Sequence, residues 1–411
     1  MKIKLILIVS VILLMLGLGN AGCATTQDFD RYLSTIANPY GFSTVLWEFR
    51  AIPYEVNQLI YSQWEKTEDE VQVVSEYFSA TKRIKTLESQ IRATNTSSGQ
   101  GDLASLEAEL HTLQEQKLAL ENAAERIVEK QIKTALAEED IFNPLDNYLR
   151  LKINFPPLNF KLENPPHLLV ISPRDRIESL REIILKQDIS LEEMETIEAE
   201  ADKLGVSSLV VELGGLASTY PSFVTNEASL RFTIDAAAEE WLHQYLFFKP
   251  LGILYTLDLT GVSPDYEIAT INETVASMVS KEIGAMVYQK YYSQYENSSS
   301  QSQKGDSGFD FNQEMRDIRR TVDEYLARGE IEPAEEFMEQ KRQYLASMGY
   351  YIRKLNQAYF AFHGTYADSP TSISPIGVEL KQLREQSTSL KDFLNKAAVL
   401  TSRQDLIDSL K

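Results

Sequence analysis

Cysteine is almost absent from this chain. Cys23 is the only one in 411 residues, so no internal disulfide framework exists and stability must come from packing. With that one thiol beside the N-terminal apolar run, a cysteine nucleophile is excluded. A glycine-rich phosphate loop is missing, and so is a G-x-S-x-G elbow; the phosphate-cradle and serine-elbow chemistries go with them. Positive charge is in deficit. Sixty acidic residues face forty basic ones, for a net charge of −20. Such a chain repels a phosphate backbone or an anionic lipid surface. No basic patch carries interleaved aromatics, which excludes nucleic acid as a partner. No internal repeat is present. The length still allows two or three domains and a real core.

What is there begins at the N-terminus. Lys2 and Lys4 precede an almost unbroken apolar run from Leu5 to Leu18, followed by Gly19-Asn20-Ala21-Gly22-Cys23. This is the layout of a secretory signal, and the run is short for a spanning helix. Cys23 sits where a bacterial lipoprotein signal carries its lipidated cysteine. The segment resembles a lipobox, with Asn20 where an aliphatic residue is usual. An ordinary signal cut after Ala24 and an uncleaved anchor are the alternatives. A diacyl group at Cys23 would hold the protein on a bilayer without a spanning helix. The expectation is an extracytoplasmic protein anchored to the cell membrane.

Periodicity divides the rest. Val73, Tyr77, Ala80, Ile84, Leu87 and Ile91 step by fours and threes, and Leu103, Leu106, Leu110, Leu113, Lys117, Leu120, Ala124 and Ile127 resume the pattern after a polar turn. Two such arms predict an antiparallel coiled-coil hairpin over 67–141, either an arm for a protein partner or two helices packed on the body. After Asn143-Pro144 the character changes. His167 to Pro173 and Val206 to Glu212 read as strands, with a polar helix from Leu191 to Leu204 between them. Gly214-Gly215 breaks the second, and Leu216 to Val224 is again extended. Helices are expected from Ala228 and from Asn272, and a helical region after a serine-rich linker. The fold class is α+β, mostly helical, with a small sheet in the middle. The segments are 1–24 signal and anchor, 25–66 N-terminal segment, 67–141 hairpin, 142–296 core, 297–308 linker and 309–411 C-terminal helices.

One stretch carries chemistry. In Glu239-Glu240-Trp241-Leu242-His243, Glu239 and His243 stand four apart and share a helix face, with Glu240 beside them. The spacing is that of H-E-x-x-H, where two residues hold a metal and the central glutamate is the general base. Thirty residues on (243 to 273), Asn272-Glu273-Thr274-Val275-Ala276 opens the next helix.

Together these motifs resemble the gluzincin metallopeptidases over Val206 to roughly Gly284, with Glu239 in place of the first histidine. The resemblance implies a small sheet followed by the active helix, with the third ligand at Glu273. It also implies an edge strand over the metal that pairs with substrate backbone, here Val210 to Ala217 with Gly214 and Gly215. Asn356-Gln357-Ala358-Tyr359 with Gly364-Thr365-Tyr366 is loosely similar to a motif of predicted bacterial aminopeptidases of that superfamily.

The implied activity is hydrolysis of peptide substrates by a divalent metal held by Glu239, His243 and Glu273, with Glu240 as base. An oxyanion donor is needed from later in the chain, and His363 and Tyr366 are the candidates. Zinc is the ion the resemblance implies. Two carboxylates and one imidazole lower the effective charge of the ion and favour harder metals, so manganese or ferrous iron also qualify. Two other readings stay open. One is a non-catalytic envelope lipoprotein that keeps the fold as a binding module, its carboxylates splayed to solvent or paired to Lys249 or Lys281; the other is a solvated helix face.

Overall fold

The structure is a computed structural model and describes residues 27–43, 69–96, 103–145, 152–293 and 309–411. Cys23 and the whole 1–24 segment, the 297–308 linker and most of 25–66 lie outside the described residues. The fold is α+β and mostly helical. Among the described residues, no helix is long and apolar enough to cross a membrane.

Helix α1 (Gln27–Ala37) comes first; α2 (Glu70–Thr96) and α3 (Leu103–Glu138) then form the hairpin. Glu70, at the start of α2, pairs with Lys130 near the end of α3 at 2.7 Å, and Arg83 pairs with Glu109 at 2.7 Å, so the helices run antiparallel. The seam follows the expected heptad positions through Tyr77, Ala80, Ile84 and Leu87. At the base it shifts by one, with Val74 buried where Val73 was expected. There the hairpin packs on the body as well as on itself. Ala124 to Leu136 belong to the main apolar core, while Leu103 to Leu120 are only partly covered or exposed.

Among the described residues six strands form two three-stranded sheets, where one small sheet was expected. They are β1 (Phe160–Leu162), β2 (His167–Pro173), β3 (Arg181–Leu185), β4 (Val206–Glu212), β5 (Gly215–Leu216) and β6 (Ser222–Val224). In the first sheet β2 lies between β3 and β4, antiparallel to both. Its continuous apolar run follows from burial on both faces. Leu169 and Ile171 meet α1 and α4 (Leu191–Asp202) on one side. Leu168 and Val170 meet α10 (Gln357–Gly364) on the other. A capping box, Ser190 with Glu193, starts α4. In the second sheet the order is β1-β6-β5, parallel then antiparallel.

Two sheet edges are closed by helix carboxylates. On β4, Val210 N–H donates to Glu198 at 2.7 Å and Ser208 N–H to Asp202 at 2.9 Å. On β1, Leu162 N–H donates to Glu125 at 2.8 Å and Phe160 N–H to Glu129 at 3.2 Å. These bonds satisfy backbone groups that an edge strand would otherwise leave open. Arg353 completes the β4 closure with bonds to Glu198 and to Val210 O.

The remaining helices are α5 (Leu230–Leu246), α6 (Pro250–Leu259), α7 (Tyr266–Tyr292), α8 (Phe311–Ala327), α9 (Ile331–Ser347), α11 (Pro375–Glu385), α12 (Leu390–Ala397) and α13 (Arg403–Ser409). Helix α7 begins at Tyr266, not at Asn272, because Asp265 caps it and accepts from Glu267 and Ile268 N–H. One core joins the base of the hairpin, α5, α7 and α11 to α13.

Glu198 is 3% exposed and serves both Val210 N–H and Arg353. Removing it strands a buried donor and takes the carboxylate from the partly exposed Arg353, so Glu198→Ala is expected to cost about 1–3 kcal/mol in denaturant unfolding. Glu198→Gln, which keeps the acceptor, should cost clearly less. Equal losses would show that the N–H bond contributes nothing.

Candidate metal centre

Helix α5 is held at a fixed roll. Trp241, Leu242 and Tyr245 are buried in the core, and Trp241 Nε1 donates to Pro156 O at 2.7 Å. Glu239, Glu240 and His243 stand on the opposite side of the helix. Helix α7 comes close there. At Gly284 a Cβ would lie 1.7 Å from Asp235 Oδ1.

The approach brings Glu239, His243 and Glu273 together, each offering a ligand atom within 4.8 Å of the others. His243 Nε2 lies 3.5 Å from Glu273 Oε2. His243 Nδ1 bonds Asn272 Oδ1 at 2.9 Å, which commits Nδ1 to donating and leaves Nε2 for the group. Tyr255, on α6, donates to Glu273 Oε1, and its ring stacks on His243 at 5.8 Å. The Tyr366 hydroxyl also lies near Glu273 and favours its ionised form. Glu273 Oε2 is buried with no hydrogen-bond donor on it. Ser280 Oγ reaches Glu239 Oε2 at 3.4 Å. Lys281 pairs with Asp368 instead of with these acids.

Burial sets the protonation here. It raises the Glu239 carboxyl to about 7; His243 opposes the rise and Glu273 adds to it. It raises Glu240 to about 8, again against His243 and with Glu239 and Glu273. Burial disfavours a charged His243, but Glu273 and the two other glutamates outweigh it and raise its pKa. Burial likewise opposes ionisation of Glu273, yet His243, Tyr255 and Tyr366 hold it below the usual range. The acidic surround extends to Glu182 on β3, raised to about 7 by burial and by Glu273 and Asp258. A divalent cation is the species that relieves such crowding. Glu273 Oε2 and His243 Nε2, held by no group but each other, and the mixed oxygen and nitrogen donors fit one.

Gly215 roofs the site. A Cβ there would meet Glu240 Oε1 at 2.1 Å, so only glycine lets the carboxyl lie against the strand. Thr225 N–H donates to Gly214 O at 3.0 Å, and Gly215 faces Val224 across the ladder. That pattern makes Gly215 and Val224 a non-hydrogen-bonded pair, so the N–H and C=O of Gly215 point away from β6, toward the outer edge. Gln244 ties the following loop to α5 through Ala217 O and Thr219 O at 3.1 and 3.2 Å.

No family model, curated protein or solved structure matches the chain. Its function is therefore argued from its own geometry.

The sequence-stated candidates divide. Glu239, Glu240, His243, Glu273, Tyr366 and Gly215 meet at one place. Gly214 lies one step away, against the Phe232 ring. His363 is not brought in. It sits at the end of α10, packs on Tyr359 at 4.3 Å, and lines a cavity of about 530 Å³ whose wall includes none of the three donors. The expected edge strand also needs correction. In Val210 to Ala217, the β4 part is closed by side chains, and only the β5 part offers an open edge. Asn356 and Gln357 are structural: Asn356 caps α10 and bonds Ser208 O at 2.9 Å, and Gln357 bonds Arg174 O at 2.8 Å. Tyr255 and Glu182 went unnoticed in the sequence. Pro250 marks the start of α6, but no spacing rule links a tyrosine on it to Glu273.

Stability of the metal-free chain should follow pH. Glu239 and Glu240 keep protons in the folded state that an unfolded glutamate releases near 4.5. Folding is therefore favoured at low pH and loses that advantage as pH rises through about 8. His243 acts in the same direction above 6.5, because its folded pKa is raised. Thermal unfolding in chelator should show a Tm that falls between about pH 5 and 9, with Glu240→Gln flattening the fall. A variant curve parallel to the parent would contradict the placement of Glu240.

Proposed function

We propose that this chain is a divalent-metal-dependent peptidase of gluzincin type, anchored at the outer face of a membrane through its N-terminal segment. The observation that carries the reading is the convergence of Glu239, His243 and Glu273 beneath an open strand edge.

Each side chain then has a role. Glu239, His243 and Glu273 would hold the ion, with Asn272 and Tyr255 orienting two of them. The bound ion would polarise the scissile carbonyl and make a water acidic. An extended peptide pairs its backbone with the N–H and C=O of Gly215, which sets the scissile bond over Glu240. Ionised Glu240 takes a proton from the attacking water as oxygen bonds to the carbonyl carbon. It returns that proton to the nitrogen as the C–N bond breaks, leaving an acid and an amine. Tyr366 would turn its hydroxyl to the carbonyl oxygen and donate to it as negative charge gathers there. With two carboxylates in the set, manganese and ferrous iron rank beside zinc.

One contact favours a second reading. His243 and Glu273 face each other at 3.5 Å, so the group satisfies part of its own charge. A peptidase-like fold kept as a binding module would do the same.

Metal content separates the two. A soluble chain starting after Cys23 should carry about one equivalent of zinc, manganese or iron by mass spectrometry, and His243→Ala and Glu273→Ala should each lose it. Glu240→Gln should keep the metal and lose peptide cleavage by about 100-fold or more. A parent that binds none of the three ions sinks the enzyme reading.

A further inference from the structure

The cavity of about 530 Å³ that His363 lines is built without Glu239, Glu240, His243 or Glu273. It lies among the start of α7, α8, the end of α10 and the loop over 371–376, and its size falls within the range of small-molecule sites, about 300–1,000 Å³. Its wall has two characters. Met315, Phe360 and Ile376, all buried, give it an apolar side. The charged side chains on it are Arg319, Arg403, Asp323 and Glu267, two of each sign.

The two cations are not equivalent. Arg403 is fully engaged: Nε and Nη2 donate to Glu379, and Nη1 donates to Glu267 at 3.2 Å. Arg319 gives only its Nε, to both oxygens of Asp323 at 3.0 Å, one turn along α8. Among the described residues nothing accepts from its Nη1 or Nη2. Yet the side chain is only 18% exposed, and its guanidinium lies over the Phe360 ring at 5.8 Å. At Gly364, another wall residue, a Cβ would stand 3.3 Å from Nη1, so the missing side chain leaves that group uncovered. A guanidinium with both terminal nitrogens open is a fork for a planar carboxylate.

Asp323 sets the second requirement. Its carboxylate touches the same guanidinium, so a simple anion on Arg319 would meet a like charge at once. An α-amino acid avoids this, because it carries an ammonium one carbon from its carboxylate. The carboxylate can take Nη1 and Nη2 while the ammonium turns to Asp323, and the wall keeps its balance of charge. We propose that this cavity binds a free α-amino acid with an apolar or aromatic side chain, its carboxylate on Arg319, its ammonium on Asp323 and its side chain against Met315, Phe360 and Ile376. The site stands apart from the peptidase reading and needs no metal.

The test is calorimetric titration of the full-length chain in chelator with three probes. They are phenylalanine, phenylalanine amide, which lacks the carboxylate, and 3-phenylpropionate, which lacks the ammonium. Phenylalanine should bind about 10-fold or more tighter than either. Arg319→Gln should erase the preference over the amide. Asp323→Asn should erase the preference over 3-phenylpropionate and keep the one over the amide, a split that a merely misfolded variant would not show. If Arg319→Gln fails to fold, the parent series and Asp323→Asn still decide. No binding of phenylalanine, equal binding of all three probes, or preferences untouched by both variants would overturn the proposal. So would tighter binding of 3-phenylpropionate than of phenylalanine, which would make the cavity a site for simple carboxylates.

Discussion

Everything at the centre of this molecule depends on how closely α5 and α7 approach. At Gly284 no side chain stands between α7 and Asp235 of α5, where a Cβ would hold the two helices apart. The approach forces three carboxyl groups and an imidazole into one largely water-free space, where each charge is expensive unless balanced. Their shifted protonation is the physical consequence: two glutamates hold their protons, and His243 and Glu273 share opposite charge. The Tyr255 hydroxyl and the Asn272 amide then fix the orientation of that pair. A divalent cation would replace protons at the same atoms, so metal affinity and pH stability are two faces of one constraint.

A second theme is the treatment of strand edges. β4 and β1 are each closed by two glutamate or aspartate side chains from a neighbouring helix, bonded to backbone N–H groups. β5 also lies against a helix glutamate, Glu240, but no hydrogen bond joins the two among the described residues. The carboxyl is packed beneath Gly215 rather than tied to its edge. An acid that closes a strand is structural; an acid left beside an open strand is available to a ligand. That contrast is what distinguishes Glu240 from Glu125, Glu129 and Glu198.

The sequence was informative where a local rule suffices. An acid and a histidine four apart share a helix face whatever the tertiary context, so Glu239 and His243 could be paired on spacing alone. The heptads of the hairpin and the β-branched run at Val206 were legible for the same reason. Contacts between distant segments were not. Tyr255 meets Glu273 only because α6 folds back between α5 and α7. Glu182 comes from β3, whose five residues carry no alternation that marks a strand. His363 and Tyr366 are three residues apart, and the turn at Gly364 and Thr365 sends them to different places. Cap residues account for the misjudged start of α7, where Asp265 outranks the later Asn272.

The most direct measurement is a crystal structure of the chain grown with manganese or zinc, with data collected at the metal absorption edge. The account expects one strong anomalous peak bonded to His243 Nε2, Glu273 Oε2 and a Glu239 oxygen at about 2.0–2.2 Å, with the direct His243 to Glu273 contact broken. An ion found elsewhere, or none with that contact intact, would mean that the three side chains form a self-contained ion pair and that the proposed centre does not exist.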